Sequence, residues 1–248
     1  MREEMHIRQY IRVGKMEKTN AAFWKAVAKR GGQILFSLLL MVALFFLSAG
    51  RLDLPGAWFF FGLYFVSLVI NMVIFLKYNP EVVKARAEIL KGELKWWDKV
   101  YVVLSVLFVF ALPAVCGLDV RFAAPTPSIE YYLAGILLFV VGWSFTSWAL
   151  VVNKFFEGAV RIQKERGHKV ITTGPYVIVR HPGYAGMILF YLAMPFGLGS
   201  LYGLIPALLL AATFVFRTHF EDEFLQKELK GYKKYCKSTK YRLIPFVW

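Results

Sequence analysis

Five stretches of this chain contain no Asp, Glu, Lys, Arg or His: 31–50, 54–76, 100–118, 131–153 and 182–216. A helix needs about 20 apolar residues to cross a hydrocarbon core about 30 Å thick. In lipid the backbone must satisfy its own hydrogen bonds, which leaves helices or a closed barrel. Each of the first four stretches is therefore one spanning helix, near 32–49, 56–76, 100–118 and 131–152. The fifth has 35 residues and as a single helix would be about 50 Å long, too long for one crossing. It must fold back, and Phe196-Gly197-Leu198-Gly199-Ser200 is the natural turn because glycine permits the required backbone. The expected fold is all-α: a polytopic membrane protein of about six transmembrane helices, the last two forming a helical hairpin, with a cytoplasmic C-terminal helix.

The charges agree. The net charge is +14, and 28 of the 30 Lys and Arg lie in 1–30, 77–99, 154–181 and 217–248. Only Arg51 and Arg121 fall in the two short connections between. This is the positive-inside asymmetry of a membrane protein rather than a nucleic-acid surface. It places both termini and the long loops on the cytoplasmic side, against anionic headgroups. Three units follow: a cytoplasmic segment 1–30, four transmembrane helices over 31–153, and a C-terminal unit 154–248. The first apolar run is too long for a signal-peptide core, and residues 1–30 are polar and basic. Cys116 and Cys236 give neither metal spacing nor a disulfide.

Local expectations follow along the chain. Ala21–Arg30 reads as a short amphipathic surface helix, and Pro80–Leu94 as another. Segment 119–130, with Pro125 and Pro127, is an outer loop. Asn71 suits a helix–helix hydrogen bond. Trp143, Ser144, Thr146, Ser147 and Trp148 in the fourth span suit either close helix packing or the wall of a polar cavity. Loop 154–181 holds too much Gly and Pro for one helix. The tail from Arg217 reads as an amphipathic helix with an extended end.

The hairpin has a chemical consequence. It brings Arg180 and His181, before its first arm, to the same face as Arg217 and Glu221, after its second. Arg217 and Glu221 share a helix face at i, i+4. That face also holds His168, Arg242, Asp222 and Tyr176, Tyr184, Tyr232 and Tyr235. Arginine forks bind carboxylate or phosphate at two points, and charged groups here belong at the interface or in a water-filled pocket. No metal-binding spacing, phosphate loop, nucleophile elbow or dinucleotide fingerprint occurs. Singly, each residue also suits a headgroup anchor or a helix cap.

The order Gly174-Pro175-Tyr176-x-x-x-Arg180-His181-Pro182-x-Tyr184, then Arg217-x-x-x-Glu221-Asp222-x-x-Leu225, then Gly231-Tyr232-x-x-Tyr235 and Tyr241-Arg242-Leu243-Ile244-Pro245, resembles the isoprenylcysteine carboxyl methyltransferase family of integral membrane enzymes. Arg161-Ile162-Gln163 and Gly167-His168-x-Val170 resemble that family's cofactor loop. The resemblance covers roughly 150–248. It implies methyl transfer from S-adenosylmethionine to a lipophilic, membrane-embedded substrate, most directly at a carboxylate. It implies cofactor contacts at His168, Val170, Gly174, Tyr176, His181 and Tyr184. The substrate carboxylate and reaction centre would lie near Arg217, Glu221 and Arg242. Arg180 would serve local structure. The paired acids here are Glu221-Asp222, where the family has two glutamates. The implied partners are the bilayer and a lipophilic or lipidated substrate, with no metal and no nucleic acid. Alternatives are a phospholipid amine N-methyltransferase, an NADPH-dependent sterol-type membrane reductase, and a non-enzymatic membrane transporter. The last is disfavoured because the four single apolar runs carry no ionisable Asp, Glu, Lys, Arg or His.

Overall fold

The computed structural model describes residues 21–87, 94–122 and 127–248. Expectations for residues 1–20, for the end of the connector helix over 88–93 and for Pro125 lie outside the described residues. The described residues form helices α1 (Ala21–Ala49), α2 (Pro55–Tyr78), α3 (Pro80–Ala87), α4 (Trp96–Phe122), α5 (Ile129–Val152), α6 (Pro182–Gly197), α7 (Leu204–Glu228) and α8 (Tyr232–Ser238). No strand forms among them. Helices α1, α2, α4, α5 and α7 are each long and apolar enough to cross a membrane. Their outer faces carry large exposed side chains such as Leu47, Phe59, Val103 and Leu137, as helices surrounded by lipid do.

The fifth apolar run does fold back. Helix α6 starts at Pro182, where a missing N–H costs nothing, and its 16 residues extend about 24 Å. The chain turns through Leu198–Gly203, with Gly199 at φ +70°, and α7 returns. The turn is pinned from outside the hairpin. Buried Asp119 on α4 accepts from Ser200 Oγ (2.6 Å) and from the Tyr202 backbone N–H (2.9 Å).

Several helices run further than their apolar cores. The stretch 21–30 is continuous with α1 rather than a separate surface helix. Helix α4 begins at Trp96 and ends at Phe122, so it includes Asp98 and Asp119, both buried. Helix α7 continues to Glu228, so Arg217 to Asp222 belong to the hairpin's second arm. Hydrogen bonding explains why the extra turns persist: once a helix is nucleated, each added residue gains a backbone bond.

Helices α5 and α6 form the closest pairing in the bundle. Gly142 and Gly186 let their backbones touch. A Cβ on Gly142 would stand 2.5 Å from Phe190 N and 2.7 Å from Gly186 O. Small residues at such a seam are what allow close approach without a hydrophobic driving force. Asn71 on α2 accepts from Ser147 Oγ on α5 at 2.7 Å, the expected interhelical bond. Within the α5 polar cluster Ser147 serves helix packing, while Trp143 and Thr146 line a cavity whose wall is largely apolar rather than polar.

Gly142→Val is expected to lower thermal stability in detergent, on the order of 3 kcal/mol for such overpacking. Gly62→Val, where a Cβ meets nothing within 4 Å, is the matched control and leaves the melting temperature nearly unchanged. Equal melting of both variants would contradict the seam.

Candidate functional site

Past the ends of α6 and α7 the polar residues converge on one carboxylate. Asp222, on the last turns of α7, is fully buried. Its Oδ1 accepts from Arg180 Nε (2.8 Å) and Tyr232 Oη (3.0 Å), and its Oδ2 from Arg180 Nη2 (3.0 Å), Arg242 Nε (3.1 Å) and Gln226 Nε2 (2.8 Å). His181 Nε2 stands 3.2 Å from Oδ1. The Arg180 fork thus grips Asp222 at two points, the strong geometry for a guanidinium–carboxylate pair. Arg180 Nη1 donates to the carbonyls of Thr239 and Lys240. The Arg180 and His181 amides donate to the carbonyls of Tyr241 and Arg242, each at 2.9 Å. The chain before α6, the end of α7, α8 and the C-terminal tail are joined through this cluster.

A cleft opens beside it. Its walls are loop residues Phe155, Phe156 and Glu157, then His168 and Val170, and then Tyr176, His181, Tyr184, Glu221 and Tyr232. The loop is folded by its own polar contacts, in keeping with its Gly and Pro content. Buried Gln163 donates to the Phe155 carbonyl at 2.7 Å. Arg166 binds Glu157 at 3.2 Å and reaches Glu81 on α3 at 2.7 Å, and Gly167 turns the chain at φ +61°. His168 stacks on Phe155, with ring centroids 4.5 Å apart. The Gln163 backbone N–H donates to His168 Nδ1 at 3.3 Å, which leaves Nε2 to carry the proton as a donor. Burial, then Arg166 and Arg161 nearby, lowers the His168 pKa to about 4. Burial pushes the Tyr176 and Tyr232 phenols up, so both stay O–H groups. Glu221 faces the cleft. It accepts from Tyr184 Oη at 2.7 Å and lies 3.7 Å from Arg217 Nε.

Of the nine residues singled out from the sequence, His168, Val170, Tyr176, His181, Tyr184 and Glu221 line the cleft. The other three stand behind it. Gly174 makes a turn at φ +60° against Trp148, where a Cβ would sit 3.0 Å from the indole nitrogen. Arg242 reaches Asp222 from the tail. Arg217 is buried; it pairs with Asp98 Oδ1 at 3.0 Å and donates to the Gly158 carbonyl at 2.6 Å. Asp98 in turn accepts from the Val160 N–H at 3.0 Å, so this pair fastens the cleft loop to α4 and α7. Sequence reasoning missed Asp98, because it lies just outside an apolar run. The two tryptophans before it were the available signal: Trp97 stacks on Phe220 of α7, centroids 6.0 Å apart, and so sets Asp98 against Arg217. It also missed Asn153, which donates to the Tyr176 hydroxyl at 2.8 Å.

The cleft is narrow, about 80 Å³, so a cofactor-sized ligand would extend beyond its mouth. Its donor set fits S-adenosylmethionine chemically. Aromatic faces suit an adenine ring, neutral His168 and the tyrosines offer donors, and the Glu221 carboxylate suits a cationic ligand, whereas Glu157 is already paired with Arg161 and Arg166.

Comparison with known proteins adds regional similarities. The phospholipid methyltransferase family model matches residues 131–231, the stretch holding α5, the cleft loop, the hairpin and the start of the tail. A Delta(14)-sterol reductase of Mus musculus is 34% identical over 94 residues, 37% of this chain and 22% of that protein. A probable protein-S-isoprenylcysteine O-methyltransferase of Oryza sativa subsp. indica is 28% identical over 124 residues, 48% of this chain and 64% of that protein. A Delta(14)-sterol reductase of Schizosaccharomyces pombe is 32% identical over 90 residues, 21% of its length. The chain thus spans about a fifth of the sterol reductases and just under two thirds of the rice protein.

The His168 geometry carries a pH signature. Its pKa falls from an ordinary 6.5 to about 4 on folding, so between those values the unfolded chain holds a proton that the folded one does not. Stability therefore rises with pH through that window and is flat above it. Melting curves in detergent from pH 4.5 to 7 are expected to show this slope, and His168→Asn to reduce it. An unchanged slope would contradict the assignment.

Proposed function

We propose that this chain, whose residues 131–231 match the phospholipid methyltransferase family model, transfers a methyl group from S-adenosylmethionine to a lipophilic acceptor drawn from the bilayer, at a carboxylate oxygen. The observation that carries the reading is the convergence of six expected residues on one cleft at the basic end of a membrane bundle. The positive-inside asymmetry supports a cytoplasmic placement of that end and of both termini.

When bound, S-adenosylmethionine supplies an activated methyl group on a sulfonium. His168, Val170, Tyr176, His181 and Tyr184 would hold it. Glu221, oriented by the Tyr184 hydroxyl and Arg217, would face its positive charge. Arg217 and Asp98 would act by holding loop 158–160 in place, and Arg242 by completing the Asp222 cluster. A carboxylate is already a nucleophile at neutral pH, so the protein's task is alignment and exclusion of water. The rice isoprenylcysteine O-methyltransferase match supports an oxygen acceptor, and the phospholipid methyltransferase family match keeps an amine acceptor as the alternative.

The sterol reductase matches support a second reading, in which the same C-terminal region holds a nicotinamide cofactor. Membranes containing the chain, incubated with methyl-labelled S-adenosylmethionine, decide between them. The expected product is a labelled lipophile whose label is released by mild base, as an ester requires. Glu221→Gln is expected to reduce labelling about 100-fold, the scale of losing one preorganised electrostatic contact. Base-stable label would shift the acceptor to an amine. No label, with NADPH consumed instead, would overturn methyl transfer.

A further inference from the structure

The segment after α8 carries apolar surface that the cleft does not use. Arg242 reaches inward to Asp222, and Leu243 is buried. The next residues turn outward: Ile244 is 57% exposed, Phe246 88% and Val247 75%. They are held in place. The Trp248 carbonyl oxygen accepts from the backbone N–H groups of Arg242 (2.9 Å), Leu243 (3.0 Å) and Ile244 (3.2 Å), which closes 242–248 into a compact loop. The Arg242 guanidinium lies over the Trp248 ring at 4.8 Å.

The backbone at the tip of this loop is unfavourable. Phe246 has φ +65° and is the only non-glycine residue with positive φ among the described residues. That conformation costs an L-residue about 1–2 kcal/mol and is open to glycine. Within the molecule the Phe246 ring meets Tyr241, with centroids 5.3 Å apart, and is otherwise uncovered. A strained residue that displays its side chain outward points to a partner outside the fold.

The position of the loop identifies that partner. Arg180 and His181, just before α6, donate to the Tyr241 and Arg242 carbonyls, so the loop begins level with the start of that helix. Leu243 and Trp248 then pack in one apolar cluster with Tyr184 on α6 and Leu210 and Phe214 on α7. Leu210 lies about 10 Å along α7 from Arg217, within a helix long and apolar enough to cross the membrane. The loop therefore runs from the charged level toward the lipid. Lys237, Lys240 and Arg242 precede it, and no Asp or Glu follows Glu228. Cations beside an aromatic-rich apolar tip are the pattern of an interfacial anchor.

We propose that residues 244–247 seat in the headgroup–acyl boundary of the bilayer leaflet on the cleft side and anchor the C-terminal tail there. The partner is the lipid surface. The same segment supplies Arg242 to Asp222 and the carbonyls that hold Arg180 and His181, so the bilayer steadies the joint beside the cleft. The loop lies outside residues 131–231, and the anchor does not require the methyl-transfer reading.

The test places a nitroxide on the whole chain through Phe246→Cys, in a Cys236→Ser background that leaves only the buried Cys116, reconstituted in phosphatidylcholine bilayers. Position 246 is too exposed for this change to threaten folding. Leu208→Cys, on an exposed face of α7, and Lys233→Cys, on the exposed side of α8, are the lipid and water references. Power saturation reads collisions with oxygen and with a water-soluble nickel chelate. The label at 246 is expected to follow Leu208, with chelate collisions about tenfold below those at Lys233, the least that burying an aromatic-sized group favours an apolar site, and oxygen collisions retained. Chelate collisions equal to those at Lys233 would place the loop in water and overturn the anchor. Low collisions with both reagents would overturn it as well, because a second copy or another protein would then cover the tip.

Discussion

The Asp222 carboxylate is the interaction on which the C-terminal half depends. It is fully buried and takes hydrogen bonds from Arg180, Arg242, Tyr232 and Gln226. Removing water from such a charge costs several kcal/mol, which is recovered only when the geometry is good and every lone pair is used. Both conditions are met here. Breaking one side of such a buried pair typically costs about 3–5 kcal/mol. The partners come from the segment before α6, from α7, from α8 and from the tail, so the cluster acts as a joint between segments distant in sequence. The cleft lies against this joint, and His181 belongs to both.

The hairpin makes the joint possible, and it is held at both ends by buried aspartates. At the turn, Asp119 of α4 anchors Ser200 and Tyr202. At the open end, Asp98 of the same helix pairs with Arg217. Helix α4 therefore acts as a ruler along α7, fixing where the second arm ends relative to the loop that forms the cleft. The Gly142–Gly186 contact presses α6 onto α5. Between these helices and α1 to α3 the bundle leaves the cavity that holds Arg30 and Arg86.

Much of this was legible in the sequence because membrane insertion is a coarse physical filter. Uncharged runs gave the spans, and 35 uncharged residues forced a hairpin. From the hairpin alone, Arg180–His181 had to meet Arg217–Asp222. The finer placement was not legible. A charged residue at the end of an apolar run reads as a headgroup anchor, yet Asp98, Asp119 and Arg217 are buried, because their helices extend past the apolar core and pack there. Arg217 and Arg242 looked like cleft residues, since pattern and spacing cannot tell a side chain facing a cleft from one supporting its wall. The cavity that Arg30 and Arg86 line depends on tertiary packing of α1 and α3 against the other helices, which no local pattern reports.

The proposed methyl-donor site is the space between loop 155–171, His181–Tyr184 and the Glu221–Tyr232 region. Hydrogen exchange of the purified protein, with and without S-adenosylmethionine, tests this most directly. Slowed exchange is expected in the cleft loop, in residues around 174–184 and at the α7–α8 junction, with no such change on adding NADPH. Protection elsewhere, or protection of these segments by NADPH and not by S-adenosylmethionine, would contradict it.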